Sequence, residues 1–334
     1  MKARIAINGF GRIGRTVTRA IFENKRDDIE LVAINSRSDN EINAHLLRYD
    51  SVHGRFSYPV QVTEKSFIIA GKTIRATSES NPSQIAWRDL DIDIVLECTG
   101  VFTSRDKAVA YLQTGAKKVL VSAPSVGADL TVVYGVNNKE LTNEHIIVSN
   151  ASCTTNCLAP VAKILDRHVG IEHGFMTTIH SYTGDQPTLD NAHKDFYRAR
   201  AAACSIIPTS TGAAKAVSLV LPELAGKLDG VAIRVPTPNV SLIDFTFTAK
   251  KSTSVTEINE AMKAAAYGDM KTILAYTEEK LVSSDFVHDP HSAIFHADQT
   301  RVMDNKFCRV VAWYDNEWGF SNRMLDVAVA MKNT

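Results

Sequence analysis

The residues best suited to chemistry sit near the middle of the chain, where Cys153 is flanked by Ser152, Thr154, Thr155 and Asn156. After it, Leu158, Val161, Leu165 and Val169 recur at helical spacing, and Pro160 is compatible with a helix only within the first turn or so. Cys153 therefore falls at a helix N-terminus, where unpaired N–H groups and the positive end of the macrodipole favour a thiolate. A packing cysteine has little need of so many hydroxyl and amide neighbours. His180 follows 27 residues later, at the end of a strand pattern over 174–180, and a returning strand can bring an imidazole beside the thiol as its base. Thr183, Asp185, Arg198, Arg200, the run from Thr209 to Gly212, and Arg234 supply hydroxyls, a glycine turn and guanidinium groups. Those are parts for holding anions.

These side chains need a scaffold and an electron acceptor, and the N-terminus offers both. A short apolar strand over 4–8 runs into Gly9, Gly11, Arg12, Ile13 and Gly14 and then a helical stretch over 12–22. In a strand–GxGxxG–helix unit the first glycine makes the tight turn, the second admits a pyrophosphate to the backbone, and the third lets the helix pack on the strand. A second strand over 30–35 follows at βαβ spacing, so the glycines are read as a dinucleotide site. At its end, where an Asp or Glu usually reads the adenosine ribose, stand Ser36 and Arg37. Serine removes a charge that would repel a 2′-phosphate and arginine can pair with one, so NADP is expected beside NAD. Asp39 and Glu41 fall in an apparent loop.

Buried parallel strands are expected over 92–98 and 118–123, the latter ending at Ser122 beside the cofactor crevice, with a crossover helix over 104–115 capped by Gly115. Strands over 130–136 and 146–149 complete this sheet. Beyond residue 170 the strands lengthen (174–180, 230–235, 241–250, 308–314), with helices over 210–220 and 255–267 and an amphipathic helix over 321–332. The fold class is α/β plus α+β: a Rossmann parallel sheet over 1–151, rejoined by 316–334, and a mixed or antiparallel catalytic domain over 152–315.

Composition narrows the partners. Lys plus Arg equals Asp plus Glu at 37 each in 334 residues, so nothing points to nucleic acid or a membrane surface. Five cysteines at irregular positions make no disulfide framework, and a reactive thiol needs a reducing compartment. With no signal-peptide pattern and no long apolar run, a cytoplasmic location is expected. Cys157 lacks a second ligand pair, so no metal site is read. A cysteine hydrolase built from Cys153 and His180 would leave the glycine motif unexplained. Thiol, dinucleotide and anion sites together specify oxidation of a phosphorylated aldehyde through a thioester.

The runs 7–15, 151–157, 180–183, 210–215 and 313–319 resemble the phosphorylating glyceraldehyde-3-phosphate dehydrogenases, essentially end to end, and the cysteine run is the specific one. The resemblance implies a homotetramer. It further implies Cys153 as nucleophile with His180 as its base, Thr183, Asp185 and Arg234 around the substrate phosphate, and Ser152, Thr154, Thr211 and Gly212 around inorganic phosphate, with Arg198 nearby. Asn316 would hold the nicotinamide carboxamide. Three departures from the NAD-specific pattern stand out: Ser36 replaces an Asp, Asn191 and Ala192 replace a Leu–Pro pair, and Phe320 replaces a tyrosine. The nearest rival is erythrose-4-phosphate dehydrogenase, which the Thr211–Gly212 pair disfavours. A secondary binding role would come only in addition to catalysis.

Overall fold

The computed structural model describes residues 2–334, and the chain divides into two compact units. The first comprises Met1–Val132, Asn137–Ala151 and Ser321–Thr334, and the second Val133–Val136 and Ser152–Phe320.

In the first unit a nine-stranded sheet has at its centre apolar runs buried on both faces, Ala3–Asn8, Ile29–Asn35, Ile94–Glu97 and Lys118–Val121. Its order is Leu130–Thr131, Ile147–Ser149, Lys118–Val121, Ile94–Glu97, Ala3–Asn8, Ile29–Asn35, Lys72–Thr77, Ser66–Ile69 and Val60–Thr63. The first seven strands run parallel; the last three form an antiparallel meander that the sequence did not announce. The helix Arg12–Glu23 begins at the glycine turn as expected. The helix Trp318–Lys332 buries Met324, Leu325, Val327 and Met331 completely. At about 1.5 to 3 kcal/mol for each large apolar side chain removed from water, those four contribute roughly 6 to 12 kcal/mol before chain entropy is charged. Ion pairs at its polar edge, Arg26 with Asp326 at 2.8 Å and Lys332 with Asp93 at 2.7 Å, fix its register.

The second unit is built on an eight-stranded mixed sheet. Its centre is the strand Ile171–Ser181, parallel to Leu228–Val235 on one side and antiparallel to Ser241–Ala249 on the other. Phe307–Tyr314 continues the antiparallel run. The expected α/β plus mixed-sheet class therefore holds.

Several local expectations do not. Asp39 and Glu41 lie in no loop: Asp39 caps the helix Asn40–Arg48, accepting from the Glu41 N–H at 2.7 Å. The stretch over 104–115 is helical only at Arg105–Ala108 and tightens to a 3-10 helix over Val109–Thr114, where Thr114 Oγ1 bonds back to the Tyr111 carbonyl at 2.6 Å. The strand expected over 130–136 stops at Thr131, and Val133–Val136 belongs to the other unit. Ser210 ends the strand Ile207–Ser210 and does not start a helix; the helix is the short Ala213–Ala216. Pro160 sits well inside the helix Cys153–His168, where residues 157–162 are all buried and packing outweighs the lost backbone bond.

Candidate active site

The chain enters the site through a strained residue. Ala151 holds a left-handed φ of 55°, a conformation that costs about 1 to 3 kcal/mol in a residue other than glycine. It turns the backbone so that Ser152 caps the helix Cys153–His168, its Oγ accepting from the Thr155 N–H at 3.0 Å. Cys153 is then the first helical residue, and no acidic side chain lies in that first turn to neutralise the dipole.

His180 sits near the end of its strand with its side chain turned inward, 4% exposed, and its Nε2 lies 3.5 Å from Cys153 Sγ. Parallel pairing sets Arg234 directly opposite His180 in register. Arg234 Nη1 lies 2.6 Å from His180 Nδ1 and donates to the Ser181 carbonyl at 2.8 Å. The same carbonyl lies 2.7 Å from Nδ1. The Ser181 carbonyl accepts from Arg234 and lies within reach of Nδ1, Nδ1 also faces the Arg234 guanidinium, and Nε2 faces the thiol. Burial, with Arg234 next, holds the imidazolium down to about 3. Burial also pushes the Cys153 thiol up, while Arg234 and the hydroxyl and N–H of Thr154 pull it back. Burial thus disfavours charge on both members of the pair, while Arg234 and Thr154 favour it on the sulfur.

Beside the pair lies a web of anion-binding groups. Thr183 Oγ1 donates to Asp185 Oδ1, and Arg198 Nη1 donates to Asp185 Oδ2 at 3.0 Å. Arg198 Nε donates to Thr209 Oγ1 at 3.1 Å, and that hydroxyl donates to Asp195 at 2.6 Å. Burial alone would raise the Asp185 carboxyl, but Thr183, Arg198 and Arg234 hold it below the usual range. Arg234 is itself pushed down by burial and by the Arg198 charge. Two guanidinium groups that repel each other beside a thiol make a site that gains by taking up an anion. Arg200 stands apart, paired with Asp190 at 2.7 Å in solvent.

The other named residues are less uniform. Thr154 is buried, with its Oγ1 2.9 Å from the Tyr314 hydroxyl. Thr211 Oγ1 accepts from the Ala213 N–H at 3.1 Å, and Gly212 beside it is exposed. Asn316 is buried, its Oδ1 accepting from Ser241 Oγ at 2.9 Å. Tyr314 was missed by sequence reasoning, although it lies in the run over 313–319: its hydroxyl bridges Thr154 and Thr178, 2.8 Å from the latter, and its ring meets His180 edge-on. Asp195 was missed too, and carries no sequence signal.

In the first unit, Gly9 has φ +94°, and a Cβ there would lie 2.7 Å from Thr99. A Cβ on Gly14 would collide with the Gly9 carbonyl, whereas one on Gly11 meets nothing within 4 Å. The helix Arg12–Glu23 has neither a side-chain cap nor an acidic first turn. Its N–H groups thus face an open cradle that admits a pyrophosphate, so the residues fit a dinucleotide. Arg12 is tied to Asp50 at 2.5 Å, a partner with no signal in the sequence. Ser36 is half-buried at its strand end, with Oγ accepting from the Ser38 N–H at 3.3 Å. Arg37 is exposed, and Ser122 donates its N–H to the Glu97 carbonyl at 3.0 Å. Asn191 and Ala192 are exposed, and Phe320 is buried.

A parallel-sheet glycine cradle in one unit and a thiol–imidazole pair ringed by arginines in the other define a nicotinamide-dependent oxidoreductase. Comparison with known proteins narrows the class. Residues 3–105 match the glyceraldehyde 3-phosphate dehydrogenase NAD binding domain, and residues 152–316 match the C-terminal domain of the same family. The chain is 66% identical over 331 residues to a glyceraldehyde-3-phosphate dehydrogenase of Xanthobacter flavus, covering 99% of each chain. It is 63% identical over 333 residues to that of Cereibacter sphaeroides, again covering 99% of each. The chain belongs to the glyceraldehyde-3-phosphate dehydrogenase family, and NAD is its cofactor.

Proposed function

We propose that this protein oxidises and phosphorylates D-glyceraldehyde 3-phosphate to 1,3-bisphosphoglycerate in glycolysis, through a thioester on Cys153. The observation that carries the reading is the 3.5 Å approach of His180 Nε2 to Cys153 Sγ beside two mutually repelling arginines. Sγ adds to the aldehyde carbon while Nε2 relays the thiol proton to the new oxyanion. Nε2 then takes that hydroxyl proton as the C1 hydrogen departs with its electron pair, leaving the acyl group on sulfur. Bound NAD supplies the two-electron acceptor. A phosphate oxygen attacks the thioester carbonyl, the thiolate leaves, and the acyl phosphate is released.

Thr183, Asp185 and Arg234 hold the substrate phosphate in this reading. Ser152, Thr154, Thr211 and Gly212, with Arg198, hold the attacking phosphate; the Tyr314 contact of Thr154 favours a role for its hydroxyl at the thiol and for its backbone N–H at the anion. Gly9, Gly11, Arg12, Ile13 and Gly14 hold the pyrophosphate, Ser36 and Arg37 the adenosine ribose, and Ser122 and Asn316 the nicotinamide end. Residues 1–151 with 316–334 act as the cofactor domain and 152–315 as the catalytic domain, in a cytoplasmic homotetramer. Ser36 and Arg37 extend the cofactor range to NADP. Assay of glyceraldehyde 3-phosphate and erythrose 4-phosphate, each with and without inorganic phosphate, tests the reaction. Phosphate-dependent oxidation of the triose is expected, and phosphate-independent oxidation of the tetrose would assign the rival activity.

A further inference from the structure

One buried group of the first unit has no part in the chemistry above. Glu97 ends the strand Ile94–Glu97, is fully buried, and has no ion-pair partner among the described residues. Its carboxylate is satisfied by donors alone. Oε1 accepts from the Thr99 N–H at 2.7 Å and from the Thr99 hydroxyl, and Oε2 accepts from Asn8 Nδ2 at 3.1 Å and from the Tyr111 hydroxyl. Burial and the Glu97 charge push the Tyr111 phenol up, so it stays a donor.

A carboxylate accepts and never donates, and that asymmetry propagates. Asn8 must turn its NH2 toward Glu97, which leaves its Oδ1 to accept from Asn35 Nδ2 at 2.6 Å. Asn35 must then turn its own Oδ1 toward Thr77 Oγ1 and the Glu79 N–H, both at 2.9 Å. Asn8 and Glu97 are paired in register, so this one-directional chain crosses the C-terminal edge of four neighbouring strands. Both walls of the glycine cradle hang on it. Thr99, gripped twice by Glu97, is the residue packed against Gly9, and its hydroxyl accepts from the Val101 N–H at 3.0 Å across the left-handed Gly100. On the other side Gly9 donates its N–H to the Asn35 carbonyl at 2.9 Å.

We propose that Glu97 is a positioning residue for the dinucleotide: the acceptor-only end of a buried hydrogen-bond chain that holds the Gly9 turn and the Thr99–Gly100 turn in binding geometry before cofactor arrives. The proposal rests on the reading of Gly9 to Gly14 as the pyrophosphate cradle. An amide at position 97 brings a donor into a place built for acceptors, and at least one bond of the chain is lost or reversed.

The test is calorimetric titration of the full-length protein with NAD, run on the parent, E97Q, Y111F and D93N. Asp93 is also a buried carboxylate, just before the same strand, but it anchors Lys117 and Lys332. E97Q should raise the NAD Kd at least tenfold and Y111F two- to fivefold, with kcat at saturating NAD and the rate of Cys153 alkylation by iodoacetamide within twofold of the parent. D93N should lower the melting temperature and leave Kd within twofold. A Kd unchanged in E97Q, or raised as much by D93N as by E97Q, overturns the proposal; should E97Q fail to fold, an unchanged Kd in Y111F does so. NAD affinity that survives Gly14→Ala would overturn the cradle reading itself, and the proposal with it.

Discussion

Replacing Ser36 by Asp places a carboxylate at a half-buried strand end where the parent has only a hydroxyl bonded to the Ser38 N–H. Two unit charges about 4 Å apart repel by about 1 kcal/mol in bulk water and by about 4 kcal/mol at the effective dielectric near a protein surface. A half-buried position facing a phosphate of nearly two charges falls in the upper part of that range, so about 2 to 4 kcal/mol should be lost toward NADP. That is a fall in kcat/KM for NADP of roughly 30- to 1000-fold. The same carboxylate can accept from the ribose 2′-hydroxyl of NAD, and kcat/KM for NAD should hold or rise. Arg37 is exposed, and exposed ion pairs are worth about 0.2 to 1 kcal/mol, so Arg37→Ala should cost NADP no more than about fivefold and NAD nothing. Steady-state kinetics with both cofactors on the parent and both variants reads all of this. A parent specificity constant for NADP a thousandfold below that for NAD, or an S36D variant that keeps its NADP activity, would refute the reasoning.

Asp50 is held down to about 2 although burial alone would raise it, because Arg12 and the N–H groups of Val52 and His53 stabilise its charged form. A fall from 3.8 to about 2 corresponds to about 2 kcal/mol of stability that is complete above pH 4 and is lost as pH drops toward 2. Asp50→Asn should therefore cost about 2 kcal/mol in urea unfolding at pH 7, and an equal cost at pH 2 would contradict the assignment. His180 behaves in the opposite sense: its folded value of about 3 lies below the ordinary 6.5, so unfolded chain gains a proton first and stability falls as pH drops from about 6.5 toward 3. The imidazole C–H resonance of His180 should not titrate between pH 8 and 5, and a midpoint near 6.5 would sink the reading of a buried, uncharged imidazole. His180→Asn should lower kcat about 100- to 10,000-fold while leaving NAD Kd unchanged by titration; a tenfold loss or less would remove His180 as the base.

How much could be read in advance depended on whether a residue type had a local reason. Gly9 and Gly14 were legible because a side chain at either would strike the neighbouring turn or carbonyl, so steric need alone marks them. Cys153 was legible through the hydroxyls that cap its helix, and the approach of His180 followed from a strand returning past that helix. Asp50 was not, since its bond to Arg12 is made by an unremarkable turn between two-residue strands. Pro160 misled because local propensity forbids what packing enforces in a helix buried all round over residues 154–162. The 3-10 stretch over Val109–Thr114 was hidden for a related reason: it carries Tyr111, whose hydroxyl bonds Glu97 fourteen residues away, a contact with no local signal.

The closing helix has a consequence for how the chain is made. The first unit needs the buried side chains of Met324, Leu325, Val327 and Met331, yet its earlier part is complete at Ala151. At about 5 to 20 residues per second, a ribosome takes roughly 10 to 30 s to travel from there to Ser321. Through that interval the first unit waits without those four side chains, while the residues of the thiol site, from Cys153 to Asn316, are added in turn. The reactive cysteine thus has its neighbours in hand before the cofactor's platform can close, and a nascent chain stalled short of residue 321 is the form most exposed to aggregation and to chaperone capture.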